Sequence, residues 1–410
     1  MQSKLFISLT VLPALIYFAG YPNKVTPVYA TTDSTGLPPV ETKAPNSNYK
    51  PAFSGQTRIA GAKTTTPYKV EKISEKLGSP FAIVAMPDGR LMVTIKSGFM
   101  EIHDANGKLV KKITGLPDVV YGGQGGLLDV AFDPKFAANK IVYWSYSEKY
   151  QQGSLTAVAK GTLNEAAGKM ENVTVIFRAT PATKSNLQYG SRLVFDKEGY
   201  LFISLGEKYI PDARVQAQQL NSYLGKIIKI TTDGKPAPGN PFIKEAGDKP
   251  EIYSYGHRNP DGLDIDPANG ELWESEFGPR GGDEINIIRP GKNYGWPVIT
   301  YGIDYSGEKM GAGIQQKAGM EQPVYYWDPV ISPCGICFYR GNAIPEWTNN
   351  LFISALSGQH LDRIIIKNNK IVGEERLLTD INKRIRDVTY LNNMLYAITD
   401  DGEIYRISKK

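Results

Sequence analysis

Residues 81–113 read FAIVAMPDGRLMVTIKSGFMEIHDANGKLVKKI, in which short apolar runs alternate with tight turns. Pro87-Asp88-Gly89 and Asn106-Gly107 are turn sequences typical of β-hairpins, because Asn, Asp and Gly accept the backbone angles that such turns require. The stretch therefore predicts a series of short antiparallel strands.

The same strand-turn-strand pattern recurs five more times, and long helical periodicity is absent. The further copies are LLDVAFDPKFAANKIVYWSYS (127–147), RLVFDKEGYLFISLGE (192–207), GLDIDPANGELWESEFG (262–278), ICFYRGNAIPEWTNNLFISAL (336–356) and VTYLNNMLYAITDDGEIYRI (388–407). Six repeats of blade length predict an all-β fold, a six-bladed β-propeller around a central channel. A pair of β-sandwiches is the alternative, and the repeats favour the propeller over it. A functional site in a propeller is scattered in sequence, because loops of different blades meet at one end of the channel.

Composition is compatible with this fold and excludes one class of partner. The chain has 410 residues, with 41 Gly, 27 Pro and 24 Tyr, which suits a turn-rich, strand-rich protein. The formal net charge of +5 is small for this length, and no block of Lys and Arg stands out. We therefore expect no nucleic-acid partner.

The N-terminus has the features of a signal peptide. Lys4 precedes the apolar run 5–20, and Val28-Tyr29-Ala30 forms a small-x-small cleavage site. We predict a signal peptide over residues 1–30 and a periplasmic or secreted protein, with no stable membrane insertion after cleavage. An uncleaved membrane anchor is the less favoured alternative, because the apolar run is short for a membrane span.

Residues 31–66 are rich in Thr, Ser, Pro and Gly, which predicts a flexible linker before a propeller domain over residues 67–410. Cys334 and Cys337 are the only cysteines. Their C-x-x-C spacing fits a tight disulfide or two unbonded thiols, and also a redox pair or half a zinc site. Zinc is disfavoured because the chain has only three histidines.

A second stretch, WESEFGPRGGDEINIIRPGKNYGWP (273–297), has the chemistry of a hard-cation site. Its Gly-Pro-rich part bends the backbone, and Asp283 and Glu284 follow immediately. Carbonyl oxygens beside carboxylates suit calcium better than zinc. Taken alone, the segment favours a hairpin loop with two solvated acids, because acidic Gly-rich loops are common.

Several stretches together resemble the soluble sugar dehydrogenases that use pyrroloquinoline quinone (PQQ), also called aldose sugar or glucose/sorbosone dehydrogenases. They are GGQGGLLDVAFDP (122–134), GSRLVFDKEGYLFISLGE (190–207), YGHRNPDGLDID (255–266), GPRGGDEIN with NYGWP (278–297), PEWTNNLFISALSGQHL (345–361) and RIRDV (384–388). Their order and spacing make the resemblance specific, and they span nearly all of the chain after residue 66. The resemblance implies a six-bladed propeller, PQQ and Ca²⁺ as cofactors, and an aldose as substrate.

The resemblance also implies roles for particular residues. Gln124 and the pair Arg258-Asn259 occupy positions that contact the quinone in the family, and Arg384 and Arg386 occupy positions that contact the cofactor's carboxylates. The chemistry is compatible, because PQQ is a planar tricarboxylate and the arginine fork binds a carboxylate through two hydrogen bonds. For each arginine alone, a salt bridge is the structural alternative.

The metal ligands are likewise implied by the resemblance. Gly278 and Pro279 match carbonyl donors to a calcium that lies against the quinone oxygens and polarises the carbonyl that accepts hydride. Asp283, Glu284 and Tyr294 match a neighbouring calcium site with a more structural role.

The sequence departs from the family at four places. The family's general base is a histidine four residues before the arginine of the G-x-R-L-V strand, and here that position is Gln188. A glutamine amide is not basic near neutral pH and cannot take a proton from a sugar hydroxyl. Phe277 replaces a polar residue, Asp261 replaces a glutamine, and Ser357 stands where some members have a lysine. Asp261 is a possible substitute base, although an acid that caps its turn is the simpler interpretation.

Two functions of different class follow. The first is an exported quinoprotein oxidoreductase that oxidises an aldose at C1 with PQQ and calcium, with Gln188 in the position of the base and Arg258 beside it, and with an unknown electron acceptor. The second is a catalytically inactive propeller that binds a sugar, a cofactor or a partner protein. Propellers host both classes, so the fold does not decide between them. The cofactor-type residues favour the enzyme.

Overall fold

The computed structural model describes residues 36–410. The predicted signal peptide lies outside the described residues, as do the first residues of the predicted linker. Within residues 36–410, no helix has both the length and the apolar composition needed to cross a membrane.

The described chain is built almost entirely of β-strands, with one short α-helix, α1 (Phe136–Asn139), and 3-10 segments at Pro211–Gln218 and Pro345–Trp347. The first twelve strands are β1 Tyr68–Ser74, β2 Pro80–Ala85, β3 Leu91–Ile95, β4 Phe99–His103, β5 Leu109–Ile113, β6 Leu127–Phe132, β7 Ile141–Tyr150, β8 Gly153–Asn164, β9 Lys169–Arg178, β10 Gly190–Phe195, β11 Leu201–Leu205 and β12 Lys226–Ile230. The other twelve are β13 Ile252–Tyr255, β14 Pro260–Ile265, β15 Leu272–Glu276, β16 Asp283–Ile288, β17 Tyr325–Trp327, β18 Pro333–Phe338, β19 Leu351–Ala355, β20 His360–Lys367, β21 Lys370–Leu377, β22 Ile385–Leu391, β23 Met394–Thr399 and β24 Ile404–Lys409.

These strands form six four-stranded antiparallel sheets, which we call blades 1 to 6. Blades 1 to 5 each take four consecutive strands, starting with β2, β6, β10, β14 and β18 as the inner strands. Blade 6 has the order β1-β24-β23-β22, so the first strand of the propeller pairs with the last one. The inner strands of neighbouring blades pack on one another all the way round, which closes the ring. The prediction of a six-bladed β-propeller is confirmed.

The hydrophobic core is divided into layers, one between each pair of neighbouring blades. The layer between blades 1 and 2 contains Met92 and Trp144, and the layer between blades 4 and 5 contains Trp273 and Phe338. Strand residues on both faces of a blade are therefore buried, which explains why the strands read as apolar runs without strict alternation.

Each inner strand carries one extra residue relative to its partner strand, in the manner of a β-bulge. In blade 2, for example, Leu127 pairs with Tyr146 but Val130 pairs with Trp144. The same one-residue shift occurs in the other five blades. Because a bulge re-aims side chains, channel-lining residues such as Asp129 lie at these positions.

A hydroxyl side chain stands opposite the bulge in five of the six blades, and it links each blade to the next. Ser145 Oγ accepts a hydrogen bond from Asp129 N in its own blade (3.0 Å) and donates to Ser191 O in the next (2.7 Å). The residues at this position are Thr94, Ser145, Ser204, Ser275 and Ser354, and each donates to a backbone carbonyl of the following inner strand. We call these contacts hydroxyl bridges.

Blade 6 has Ile398 at the equivalent position, and this side chain cannot form a hydroxyl bridge to blade 1. Asp387, on its inner strand, accepts a hydrogen bond from Ile83 N at 2.8 Å. A carboxylate thus makes the contact between the last blade and the first.

Residues 36–66 differ from the predicted flexible linker. They form an ordered segment, which we call the N-terminal strap, that lies on blades 4 and 5. Asp328 Oδ1 accepts from Asn46 N at 2.8 Å, Glu375 Oε2 accepts from Thr64 Oγ1 at 2.6 Å, and Gln56 is fully buried. The polar composition suggested disorder because the strap has little apolar surface, but its hydroxyl and amide groups bind fixed carboxylates of the propeller.

The two cysteines are both buried and unbonded. Cys334 lies in the channel, where Arg192 Nη2 and Arg386 Nη1 are 3.6 and 3.5 Å from its Sγ. Cys337 packs in the apolar layer between blades 5 and 6. Of the alternatives left open by their spacing, the structure has the two unbonded thiols.

The hydroxyl bridges predict a specific stability effect. We expect Ser145→Ala to lower the free energy of unfolding by about 1–3 kcal/mol, because it leaves a buried amide and a buried carbonyl without their partner. Urea denaturation measures the effect. Ser306→Ala, on an exposed turn, serves as the control and should change stability by less than about 0.5 kcal/mol. Equal stability of the two variants would contradict this role of the hydroxyl.

The strap gives a second expectation. Asp328→Ala should release residues 46–47, because this carboxylate accepts hydrogen bonds from both of their backbone amides. We expect trypsin to cut after Lys43 roughly tenfold faster than in the parent protein. Asp401→Ala, on an exposed turn far along the chain, is the matched control. An unchanged cleavage rate in Asp328→Ala would show that other contacts hold the strap.

Candidate active site

The loops that precede the inner strands meet at one end of the channel. There a cavity of about 60 Å³ lies between blades 1, 2, 3, 4 and 6. It is lined by Phe81, Lys96, Gly123, Gln124, Leu128, Tyr189, Gly190, Asp261 and Arg386. Gln124 and Arg386, which are far apart in sequence, are therefore neighbours in space.

Hydrogen bonds tie two of the predicted quinone-contacting residues, Gln124 and Asn259, to the backbone just before and at the start of β10. Gln124 Oε1 accepts a hydrogen bond from the backbone N–H of Gln188. Asn259 Oδ1 accepts from Gly190 N at 3.1 Å. The loops of blades 2, 3 and 4 are thus fixed relative to one another at the cavity.

The two arginines of RIRDV differ in position. Both donate through Nε to Asp400, Arg386 at 2.7 Å and Arg384 at 2.8 Å. Burial raises the pKa of Asp400, but these arginines hold it below its ordinary value. Only Arg386 lines the cavity, whereas Arg384 is exposed at its edge. The structure therefore distinguishes Arg386, which lines the cavity, from Arg384, which does not, whereas the same role was predicted for both from the sequence.

Two further charged residues line the same cavity. Lys96 Nζ donates to Gly123 O at 3.0 Å, at the mouth of the cavity. Burial raises the pKa of Asp261 to about 6, although Arg192 and Arg386 oppose this shift. Asp261 sits at the bulge of β14, which turns its side chain into the channel rather than leaving it as a simple turn cap. Sequence reasoning missed Lys96, since a single lysine after a strand carries no signal.

Arg258 is buried and reaches from the cavity region toward the Gly-Pro turn. Its Nη1 donates to Gly278 O at 2.7 Å and to Phe277 O at 3.0 Å, and its guanidinium lies 5.2 Å from the ring centroid of Trp296. The carbonyl of Gly278 is thus already in contact with a positive charge. Pro279 is buried beside it, and its ring packs against Gly302.

Asp283 holds the Gly-Pro turn in place. Its carboxylate accepts three backbone hydrogen bonds, from Gly278 N at 2.7 Å, Ile331 N at 2.8 Å and Ser332 N at 2.7 Å. Burial nevertheless raises its pKa to about 7. With most of its lone pairs used by amides, Asp283 fits a brace between blades better than a metal ligand.

Glu284 belongs to a group of acids on one face of the β15–β16 pair. The Asn286 amide donates to Glu274 at 3.1 Å, to Glu284 at 3.3 Å and to Glu276 at 3.4 Å. Burial and the charge of Glu276 raise the pKa values of Glu274 and Glu284 well above the ordinary range. In sequence, β15 has the pattern Glu-x-Glu and β16 begins with the pattern Glu-x-Asn after Asp283. Because every second residue of a strand points to the same face of the sheet, this alternation could have indicated the cluster.

His257 adjoins this acidic cluster. Its Nδ1 has no hydrogen-bonding partner and lies 3.5 Å from Glu276 Oε1, and its ring stacks on Tyr294 with centroids 4.7 Å apart. One ligand atom each from His257, Glu274 and Glu276 lie within 4.8 Å of one another. The Tyr294 hydroxyl donates to Ile287 O at 2.6 Å, which leaves the Tyr294 carbonyl as its available metal donor.

A cavity of about 10 Å³, the size of one ion or water, lies between this cluster and the Gly-Pro turn. Glu276, Glu284, Tyr294, Gly278 and Arg258 are among the residues that line it. Glu284 and Tyr294, two of the three predicted ligands of the second calcium, are thus brought together.

Gln188 occupies the position at which the sequence predicts the base, and within residues 36–410 no histidine makes a hydrogen bond to it. His103 binds Glu101 and Gly107 O in blade 1, and His360 binds Gly358 O in blade 5. Gln188 has a left-handed backbone (φ 47°), is 5% exposed, and its Oε1 has no hydrogen-bonding partner. The missing histidine is therefore not supplied from elsewhere in the fold.

Two charged side chains beside Gln188 were not singled out from the sequence. Glu207 is 0% exposed and neither of its carboxylate oxygens has a hydrogen-bonding partner. Lys208 is 2% exposed, and its Nζ lies over the Tyr189 ring without a hydrogen-bonding partner. Glu207 is the last residue of the motif SLGE, and Lys208 follows it. In sequence, two charged residues just after a strand look like an ordinary strand end and give no signal of a site.

The model of the family described as glucose/sorbosone dehydrogenase matches residues 77–406. The aldose sugar dehydrogenase of Escherichia coli (strain K12) is 42% identical over 347 residues, covering 83% of this chain and 93% of that protein. The crystal structure of the soluble E. coli enzyme in its apo-form aligns with a TM-score of 0.80 at 40% identity, covering 84% of this chain and 100% of that one.

Two more distant relatives carry a quinone in their names. The PQQ-bound form of the aldose sugar dehydrogenase from Streptomyces coelicolor aligns with a TM-score of 0.70 at 28% identity, covering 84% of this chain and 99% of that one. Quinoprotein glucose dehydrogenase B of Acinetobacter calcoaceticus is 26% identical over 409 residues, covering 80% of this chain and 84% of that protein. Since the family match and the relatives extend over most of the chain, this protein belongs to the glucose/sorbosone dehydrogenase family.

Proposed function

We propose that this protein is an exported, PQQ-dependent and calcium-dependent dehydrogenase that oxidises an aldose at C1. The observation that carries the proposal is the meeting of Gln124 and Arg386 in one cavity at the channel mouth, where Asn259 is hydrogen-bonded to the lining residue Gly190. These three residues come from three different blades. The E. coli and S. coelicolor relatives, named as aldose sugar dehydrogenases, support the same substrate class.

The residues present fit a planar tricarboxylate. Arg386 keeps its Nη groups free of carboxylates while Asp400 fixes its Nε, so the fork is aimed and still available. Lys96 adds a second positive charge to the same cavity. Asp261 is the one acidic residue in the lining and disfavours an anionic ligand there, and its raised pKa lessens that repulsion only below about pH 6.

When bound, PQQ supplies a hydride acceptor, which no protein side chain provides. The side chains of the protein would bind the cofactor and orient the sugar. Arg386 and Lys96 would hold carboxylates of the cofactor, and Gln124 and Asn259 would contact it from blades 2 and 4. Gln188, whose amide oxygen has no partner, can accept a hydrogen bond from the sugar hydroxyl and orient it, but it cannot take the proton.

We infer two calcium positions from the oxygen donors. Gly278 and Pro279 would hold one ion with their carbonyls, where a cation polarises a quinone oxygen. Arg258 now donates to Gly278 O and would have to share or leave that carbonyl. Glu284, the Tyr294 carbonyl and Glu276 would hold a second ion in the cavity of about 10 Å³, and its charge would relieve the repulsion among three buried carboxylates.

A catalytically inactive, ligand-binding propeller is the second candidate. Gln188 in the base position favours it, as does the contact between Arg258 and the Gly278 carbonyl. Loss of a general base lowers a rate by roughly a hundredfold or more, but the remaining positioning can sustain turnover.

An absorbance titration of the calcium-loaded protein with PQQ, followed by excess aldose, separates the two candidates. We expect stoichiometric binding and then bleaching to the reduced cofactor. Binding without bleaching would leave the inactive propeller, and no binding would overturn both the cofactor assignment and the dehydrogenase.

The same titration tests the cavity. We expect Arg386→Lys to weaken PQQ binding by roughly 10- to 100-fold, because lysine cannot reproduce the two-pronged contact with a carboxylate. Arg384→Lys is the matched control and should change affinity less than about threefold, since Arg384 lies outside the cavity. The reverse order of effects would show that the cofactor binds nearer the rim.

Calcium binding has its own test. We expect Ca²⁺ added after chelation to raise the melting temperature of the parent protein, by the equivalent of about 2–3 kcal/mol at a hundred times Kd. Glu284→Gln should lose most of that shift, whereas Glu308→Gln, on an exposed turn, should keep it. A full shift in Glu284→Gln would rule this carboxylate out as a ligand.

A further inference from the structure

Unpartnered polar groups are concentrated around the position of the missing base. Gln188 Oε1, both carboxylate oxygens of Glu207 and the Nζ of Lys208 are buried and make no hydrogen bond. Buried polar atoms normally have partners, and exceptions call for an explanation such as a catalytic role or a bound ligand. Three adjoining exceptions at this position point to a bound ligand or a catalytic role.

The backbone ties Glu207 to both halves of the site. Glu207 N donates to Arg258 O at 2.9 Å, and Lys208 N donates to Gln188 O at 3.3 Å. Gly206 packs so closely that an added Cβ would lie 2.3 Å from Gln188 O and 2.6 Å from Asn259 Oδ1. Residue 207 is therefore held between the position of the base and the residues expected to contact the quinone.

The surroundings of Glu207 suit a proton acceptor. Burial raises its pKa to about 7, while the charges of Arg258 and Arg214 oppose that shift. A base of this strength is partly deprotonated at neutral pH and still takes up a proton readily. No side chain donates a hydrogen bond to the carboxylate, and only the backbone N–H groups of Tyr209 and Ile210 approach it, so a rotation of the Glu207 side chain toward a bound sugar breaks no side-chain contact.

Two other side chains near Gln188, those of Asp261 and Lys208, are less suitably placed to accept the proton. Asp261 faces Arg192, Arg386 and Lys96 inside the channel, at the end where cofactor carboxylates are expected. Lys208 packs its Nζ on the Tyr189 ring, 2.9 Å from the centroid, and not beside Arg258.

We propose that Glu207 is the catalytic proton acceptor that replaces the family's histidine, while Gln188 positions the sugar hydroxyl. The proposal rests on the dehydrogenase function proposed above. As the O–H bond of the C1 hydroxyl breaks, its proton passes to the Glu207 carboxylate, and the C1 hydrogen leaves with its electron pair to PQQ. The sugar becomes the lactone, and the hydride with the proton released later by Glu207 completes the reduction of PQQ to the quinol.

The test is single-turnover reduction of bound PQQ by excess aldose in the calcium-loaded protein, measured from pH 5 to 9. The rate should rise with pH and level off above an apparent pKa of about 7, because only the ionised carboxylate accepts a proton. Glu207→Gln should lower the rate by about 100- to 10,000-fold and remove this inflection. Lys208→Met is the control from the adjacent residue and should retain the inflection.

Two further measurements distinguish chemistry from misfolding. PQQ should bind Glu207→Gln within about threefold of the parent affinity, and adding Gln188→His to that variant should restore part of the rate. In the cofactor-free protein, the infrared difference between parent and Glu207→Gln should contain a protonated-carboxyl band at pH 5 that disappears as pH rises through about 7.

The outcomes separate the two proposals. If the parent reduces PQQ and Glu207→Gln keeps its rate and pH profile, Glu207 is not the acceptor and the dehydrogenase function stands. A carboxyl band already absent at pH 5 would also overturn the role of Glu207. If the parent binds PQQ but never reduces it, the dehydrogenase function fails and the role of Glu207 fails with it.

Discussion

The contact between neighbouring inner strands is the interaction on which the propeller depends. Each inner strand bulges by one residue at the same position, and in five blades a Ser or Thr opposite the bulge bonds to the next inner strand. A hydroxyl suits this position because it accepts a hydrogen bond from one blade and donates one to the next. The bulge also supplies the site, since it turns Asp261 and Arg386 into the channel.

Charge inside the channel is balanced across blades. Arg192 lies 3.1 Å from Asp387 and 3.5 Å from Asp129, so one arginine faces carboxylates of blades 2 and 6. Leu193 N donates to Asp129 Oδ2 at 2.7 Å, which anchors that carboxylate to blade 3. These buried charges are tolerated because each is paired and hydrogen-bonded. At the channel mouth, by contrast, Glu207 and Gln188 are left without partners, as expected where a ligand is to be bound.

The fold could be predicted from the sequence, because turn residues and apolar runs repeat with the length of one blade. Within each repeat, the strands and turns follow from the local sequence. It also indicated which residues meet at the mouth, through the order of family motifs. It could not distinguish Arg386 from Arg384, since that depends on which side of Asp400 each side chain lies. Nor could it show that two amides almost fifty residues away, those of Ile331 and Ser332, bind the carboxylate of Asp283. The order of the strap was equally hidden, because its partners lie about three hundred residues away.

The pairing of β1 with β24 constrains the order in which the chain can assemble. The strap and β1 are synthesised before blades 1 to 5, but their partners lie in blades 4, 5 and 6, which are synthesised last. Residues 36–74 must therefore wait, unpaired, through most of synthesis, and contacts of such long sequence separation form slowly. The same residues are thus unpaired in the nascent chain, and in the finished propeller they bind its last three blades.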